Sequence, residues 1–247
     1  ATDQLGAYQL QGKQRLNPKG IWYTPVSGIW QTVWMEEVPD THLSRLKVTP
    51  KISGRIAIET DVQGDENQKV TVTAFLGETE VASTHGYQLS IPNPRLWSPD
   101  SPNLYRLMIE VGDDVVHSYV GIRETGIDQD DEGNLRFTLN GKPIFHWGTL
   151  DQGWWPDGLL TPPSEEAMVS DIKFLKAAGF NTIRKHIKVE PRLYYYHCDK
   201  VGMMVWQDQV SNVSPDDPEW TRLKENPETA VWPKPAHAQF MAELKGM

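Results

Sequence analysis

Between Gly179 and Asp208 the sequence reads "GFNTIRKHIKVEPRLYYYHCDKVGMMVWQD", and no other stretch restricts the fold as much. Two short apolar runs, "NTI" and "MMVW", each follow a glycine and each end on charged or amide side chains. The segment between them opens on Pro191 and closes at Gly202, the punctuation of a helix. A chain that buries Ile183 and sets Arg184, Lys185 and His186 directly after it has the pattern of a buried strand with polar groups at its carboxyl end. Short strands joined by helices predict parallel pairing, because a parallel connection needs a crossover of a dozen or more residues.

The same texture extends to both sides. Ser164 follows Pro163 and precedes Glu165 and Glu166, while Met168, Ile172 and Leu175 recur on one face. This predicts a capped helix that Gly179 ends. "LRFTLNGKPIFHWGT" predicts a hairpin turning at Asn140 and Gly141, with a strand through "PIFHWGT" after it. "AHAQFMAELKGM" predicts a third helix. Strand and helix in this order predict the opening units of a (β/α) barrel, whose active face lies at the strand carboxyl ends. Asp151 and Gln152 follow the first strand, Arg184 and His186 the second, Gln207 and Asp208 the third. An Arg184–Asp208 pair is compatible with a purely structural network. The coincidence of three polar strand ends favours a site.

Ahead of Gly126 the period is two. "RIAIETDV", "KVTVTAFL", "LYRLMIEV" and "VVHSYVGIRE", separated by turn signals, predict an antiparallel β-sandwich from about Leu43 to Glu124. "IPNPRLWSPDSPN" is too rich in proline for a central strand and reads as a loop with Leu96 and Trp97 tucked inward. Before Val38, the alternation from Ile29 to Glu36 predicts one more strand, the end of a larger β domain.

Composition narrows the function classes. A net charge of -9 and a pI near 5.3, without a basic cluster longer than Arg184 to His186, oppose nucleic-acid binding. No apolar run approaches the roughly 20 residues of a membrane span. The opening "ATDQLGAYQLQGKQ" lacks the charged and apolar regions of a signal peptide. Cys198, the only cysteine, excludes an internal disulfide framework and reads as a buried thiol. The histidines have no metal-ligand spacing, and neither a phosphate loop nor a G-x-S-x-G elbow is present, so no cofactor is expected. The triplet "NVS" at Asn212 fits a glycosylation sequon of the sort that arises by chance, and the long stretch from Gln209 to Pro235 has the length of a loop that shapes a pocket.

The residues resemble a known family, glycoside hydrolase family 2. "GIWYTPVSGIWQTVWME" is similar to the closing strands of its jelly-roll sugar-binding domain, and "LWSPDSPNLYRLMIEV" with "VGIRE" to its immunoglobulin-like domain. "LNGKPIFHWGT" and "DIKFLKAAGFNTIRKHIKVEPRLYYYHCDKVGMMVWQD" are similar to the entry and the next units of its catalytic barrel. The resemblance implies three regions, 1–40 from the jelly roll, 41–124 as the immunoglobulin-like sandwich and 125–247 as the first part of a (β/α)8 barrel. It also implies retaining hydrolysis of β-glycosides by two glutamates, one acid/base and one nucleophile. The family's acid/base glutamate follows an asparagine, and no Asn-Glu dipeptide occurs here. The chain alone is therefore expected to be inactive and to carry no catalytic residue.

Substrate contacts are carried over to Arg184 first, then Asp208 with Gln207, then Asp151, with Trp154 or Trp155 as a sugar-stacking wall. Ile187 stands where some members have histidine, and His186 one position earlier is expected to support the site through a hydrogen bond. The implied partner is a carbohydrate, with neither nucleic acid nor membrane, and a homo-oligomer is compatible with it. A periplasmic or secreted home is the family's expectation. The competing class is a non-catalytic carbohydrate-binding or interaction protein.

Overall fold

The computed structural model describes residues 10–65, 67–211 and 234–246. They divide into two compact units, one drawing its described residues from Ala1–Val33, Gly148–Tyr195 and Val205–Met247, the other from Trp34–Trp147 and Tyr196–Met204. The stretch from Asn212 to Pro233, with its sequon and most of the long pocket-shaping loop, lies outside the described residues.

The second unit holds the sandwich. Its strands are β1 (His42–Pro50), β2 (Arg55–Gln63), β3 (Val70–Leu76), β4 (Thr79–His85), β5 (Gln88–Ser90), β6 (Trp97–Ser98), β7 (Ser101–Pro102), β8 (Tyr105–Val111) and β9 (Asp114–Val120). One sheet runs β1-β2-β5 and the other β4-β3-β8-β9, and the neighbouring strands in both are antiparallel. The period-two pattern explains the core. Tyr105, Leu107, Ile109 and Val111 of β8 turn inward, with Val70, Val72 and Ala74 of β3 beside them and Ile56, Ile58 and Leu89 from the other sheet in the same cluster. Each buried valine, leucine or isoleucine among them contributes about 1.5–3 kcal/mol. Tyr105 also accepts a hydrogen bond from the Arg95 backbone amide at 2.6 Å through its hydroxyl, which ties the start of β8 to the loop before it.

The proline-rich loop is pinned as its sequence predicts. Trp97 is 1% exposed, its indole N–H donates to the Asp199 carbonyl at 2.7 Å, and its own carbonyl accepts from the Asn140 side-chain Nδ2 at 2.9 Å. Asn140 and Gly141, with φ of 54° and 73°, turn the chain between β11 (Leu135–Leu139) and β12 (Lys142–Pro143), which share a sheet with β10 (Thr125–Gln129). Two successive positive φ values are what a two-residue hairpin turn requires.

In the first unit β13 (Gly148–Asp151), α1 (Glu165–Ala177), β14 (Thr182–Lys185), α2 (Arg192–Val201) and β15 (Met204–Gln207) alternate, and the boundary between units falls inside α2 and β15. The sheet order is β13-β14-β15, with β13 and β14 parallel from Gly148 opposite Thr182 to Asp151 opposite Lys185. Ser164 caps α1, its hydroxyl accepting from the Ala167 amide at 3.1 Å, and Met168 and Ile172 are buried. Gly179 ends the turn with φ of +92°. A further helix, α3, spans Lys234–Gly246.

Two expectations need correction. Ile29 to Glu36 form no strand: Ile29, Val33, Trp34 and Met35 are exposed, Met35 at 97%. A strand with no neighbour cannot satisfy its backbone groups, and alternation alone does not supply one. Among described residues before His42 the backbone makes a single isolated bridge, Gln14 to Tyr23. The strand expected over "PIFHWGT" begins only at Gly148, because the Ile144 amide still closes the hairpin on the Phe137 carbonyl at 2.9 Å. Asp151 is accordingly the last residue of that strand, and Gln207 the last of β15. Gly148 suits the start of the parallel ladder, since an added Cβ would stand 2.6 Å from the Thr182 carbonyl oxygen.

Candidate functional site

The carboxyl ends of β13, β14 and β15 bring polar groups to both faces of one small sheet. Alternation along β14 divides them: Ile183 and Lys185 are buried on one face, while Arg184 lies on the other, exposed beside its register partner Leu150. Trp206 of β15 is also exposed.

On the open face, Arg184 donates from Nε to Asp208 Oδ1 at 3.1 Å and from Nη2 to Oδ2 at 3.0 Å. This two-point pair raises the guanidinium pKa above its ordinary value, chiefly through the hydrogen bond to Asp208. The backbone fixes the partner: the Asp208 amide donates to the Lys185 carbonyl at 3.0 Å, extending the ladder past β15. His186 does the same on the other side, its amide donating to the Asp151 carbonyl at 2.8 Å. The His186 ring stands 3.9 Å from Asp208 Oδ2, beyond hydrogen-bond range, and Nδ1 is buried with no partner among the described residues. Burial holds its pKa below the usual histidine value, and the charges of Lys13 and Arg184 act in the same direction against Asp208. Ile187 follows with φ of 53°, a left-handed conformation that a β-branched residue adopts only under strain.

The other face holds a compact ionic network. Lys185, 1% exposed, donates to Asp151 Oδ2 at 2.5 Å and to Glu190 Oε1 at 2.8 Å. Lys188, also buried, donates to the carbonyls of Gly153 and Leu160 at 2.5 and 2.7 Å and stands 2.9 Å from Glu190 Oε1. Burial pushes the Lys188 pKa down, and Glu190 offsets part of that. Two cations are paired with two carboxylates, and Asp171 lies near enough to feel both Asp151 and Lys185, its own pKa raised chiefly by burial.

The expected site residues therefore separate. Arg184, Asp208 and His186 come together on the open face. Asp151 faces the buried network and accepts from the Gly153 amide at 2.7 Å. Gln207 is tied to protein groups: it accepts from the Tyr195 hydroxyl at 2.5 Å and donates to the carbonyls of Lys188 and Asp208, both at 2.7 Å. Trp154 stacks on Tyr23, ring centroids 4.4 Å apart and 14° between planes, while Trp155 exchanges backbone hydrogen bonds with Leu159. Both tryptophans line a cavity of about 60 Å³ together with Asp151, Ile183, Lys185 and Glu190. Ligand pockets run from about 300 Å³, so this space suits a few waters and no sugar ring. Sequence reasoning passed over Lys185, Lys188 and Glu190, although the spacing K-x-x-K-x-E after a buried strand was the available signal.

Fold and site together define a β-sandwich and a β/α unit with a charged strand-end cluster. Residues 41–123 match the family model described as Glycosyl hydrolases family 2, and that is the family to which the sandwich belongs. Among solved structures, the chain is similar to a β-glucuronidase of Faecalibacterium prausnitzii, with TM-score 0.63 and 22% identity over 70% of this chain and 29% of that one. It is also similar to β-glucuronidase 3 of Bacteroides uniformis, TM-score 0.59 and 26% identity over 70% and 23%. A β-glucuronidase of Ruminococcus gnavus in complex with D-glucuronic acid gives TM-score 0.62 and 21% identity over 70% and 31%. The chain thus spans less than a third of the length of these proteins, and at such identities the likeness is chiefly one of fold.

Proposed function

We propose that this chain is part of a retaining glycoside hydrolase of family 2 type acting on β-glycosides. In this reading the β13-β14-β15 sheet begins a (β/α)8 barrel over 125–247, the sandwich over 41–124 precedes it, and 1–40 closes a jelly-roll domain. The observation that carries the reading is the two-point Arg184–Asp208 pair at the open strand ends, in a chain whose sandwich matches the family.

Arg184 and Asp208 contact substrate or orient the groups that do, and His186 supports them from the side. Asp151 and Gln207 act at one remove, by holding the strand ends and the Gly153 loop in place. Trp154, one face of which is covered by Tyr23, can meet a sugar only by an edge outside the small cavity it lines. A bidentate guanidinium of this type holds a carboxylate in one orientation, which is what an ionised nucleophile needs. The chain has no Asn-Glu dipeptide, so it supplies binding groups while the acid/base chemistry comes from elsewhere in the protein. The names of the structural relatives make β-glucuronides the first substrates to try.

The test is to express the full natural reading frame around this chain and assay aryl β-glucuronide, β-galactoside and β-mannoside, following the anomer of the first product by NMR. Retained configuration with loss of turnover in Arg184→Ala is expected. Absence of hydrolysis on all three, with sugar binding intact, would favour the non-catalytic reading.

A further inference from the structure

Three lysines are buried among the described residues, and they are not equivalent. Lys185 and Lys188 are paired with carboxylates. Lys13 is 9% exposed and makes no side-chain hydrogen bond or ion pair among the described residues. Its place is fixed by the backbone: the Gly12 amide donates to the Ser211 carbonyl at 2.9 Å, and the Lys13 carbonyl accepts from the Tyr23 amide at 2.8 Å. Gly12, with φ of +62°, lies so close to the chain after His186 that an added Cβ would stand 3.3 Å from the Ile187 carbonyl oxygen. Lys13 is thereby seated between the segment that carries His186 and the segment that follows Asp208.

We propose that Lys13 and His186, beside the Arg184–Asp208 pair, form a subsite for an oxyanion such as a carboxylate or sulfate. Arg184 and Asp208 neutralise each other through two hydrogen bonds, which leaves the Lys13 ammonium as the uncompensated charge of the cluster. A buried cation with no carboxylate partner favours an incoming anion, because the anion restores the pairing that burial removed. His186 Nε2, 3.9 Å from Asp208 Oδ2, is the ring nitrogen on the side of the cluster, and it can add a directional N–H in the tautomer that protonates it. The positive field of Lys13 is felt at the His186 ring, in keeping with their proximity. The subsite rests on these residues and does not require the hydrolase reading.

Sulfate, acetate, glucuronate and neutral glucose are titrated into the chain while the His186 ring resonances are followed by NMR and affinities are read by calorimetry. Saturable shifts with the anions, weakened tenfold or more in Lys13→Met and retained in Lys13→Arg, are expected. Preference for glucuronate over acetate and sulfate would place the anion on a sugar, and equal affinity would place it in solution, each supporting the subsite. Anion affinity unchanged in Lys13→Met, or no anion response at His186, overturns it. If Lys13→Met does not fold, His186→Gln serves instead, and must weaken the same anions without changing the response to glucose. Because these readouts need no turnover, failure of the hydrolase reading in the aryl glycoside assay is a separate result.

Discussion

Arg184 and Asp208 hold each other by two hydrogen bonds of 3.1 and 3.0 Å from the ends of adjacent strands, with side chains 53% and 23% exposed. At that exposure an ion pair contributes at most about 1 kcal/mol to stability. Its main physical effect is orientation: a planar fork is fixed on the open face of the sheet. Arg184→Ala is therefore expected to shift the unfolding free energy by less than about 1 kcal/mol. If the proposed hydrolase reading holds, turnover of the full-length protein should meanwhile fall on the order of a hundredfold, the scale of lost positioning. Urea titration and kcat measurement check the two halves, and a loss of several kcal/mol would make Arg184 a structural residue.

The buried network behaves in the opposite sense. Glu190 accepts from Lys185 and stands 2.9 Å from Lys188, all three almost wholly buried. Glu190→Gln removes one charge and deprives Lys188 of its ion pair and Lys185 of one of two, and breaking a buried pair in this way costs about 3–5 kcal/mol. Lys185→Met should cost a comparable amount. The double variant should lose less than the sum, since the partners act as one unit. Chemical denaturation of the four proteins decides it, with additive losses counting against a coupled network.

Much of this architecture was legible because it depends on local periodicity. The two-residue alternation of β8 and the capping residues around α1 each determine a face or an end without help from distant parts of the chain. Asn140 and Gly141 prescribe their own turn. Ile29 to Glu36 failed because alternation specifies a face and not a partner. Lys185 and Arg184 look alike in the sequence, yet one is sealed and the other open, a difference that depends on which side of the sheet each falls. Glu190 lies five residues from Lys185 and meets it only because Ile187 turns the chain with a positive φ, and no propensity predicts that for isoleucine.

Two helix-ending glycines separate backbone strain from steric collision. Gly179 and Gly202 have φ of +92° and +82°. A Cβ at Gly179 meets nothing within 4 Å, whereas one at Gly202 would collide with the Pro99 carbonyl oxygen. Gly179→Ala should cost only the left-handed penalty of about 1–2 kcal/mol. Gly202→Ala carries the same penalty and must also displace the backbone of the Trp97 loop, so its loss should be clearly larger. Equal unfolding free energies for the two variants would show that the Pro99 segment yields freely.

His186 gives the cluster a pH dependence whose sign follows from burial. Its folded pKa lies below the unfolded value of about 6.5, with burial the largest cause, Lys13 and Arg184 adding to it and Asp208 opposing. On acidification the unfolded chain takes up the proton first, so between about 6.5 and the lower folded pKa it binds more protons than the native state. Stability must fall as the pH falls through that window, and it stops falling once the native histidine is also protonated. His146, whose pKa burial also lowers, contributes a slope of the same sign, so wild-type data alone do not isolate His186. The difference between wild type and His186→Gln does: unfolding free energies measured from pH 7.5 downwards should converge or cross as the wild type loses its share. Parallel curves would mean that the His186 ring is no less hydrated in the folded chain than in the unfolded one.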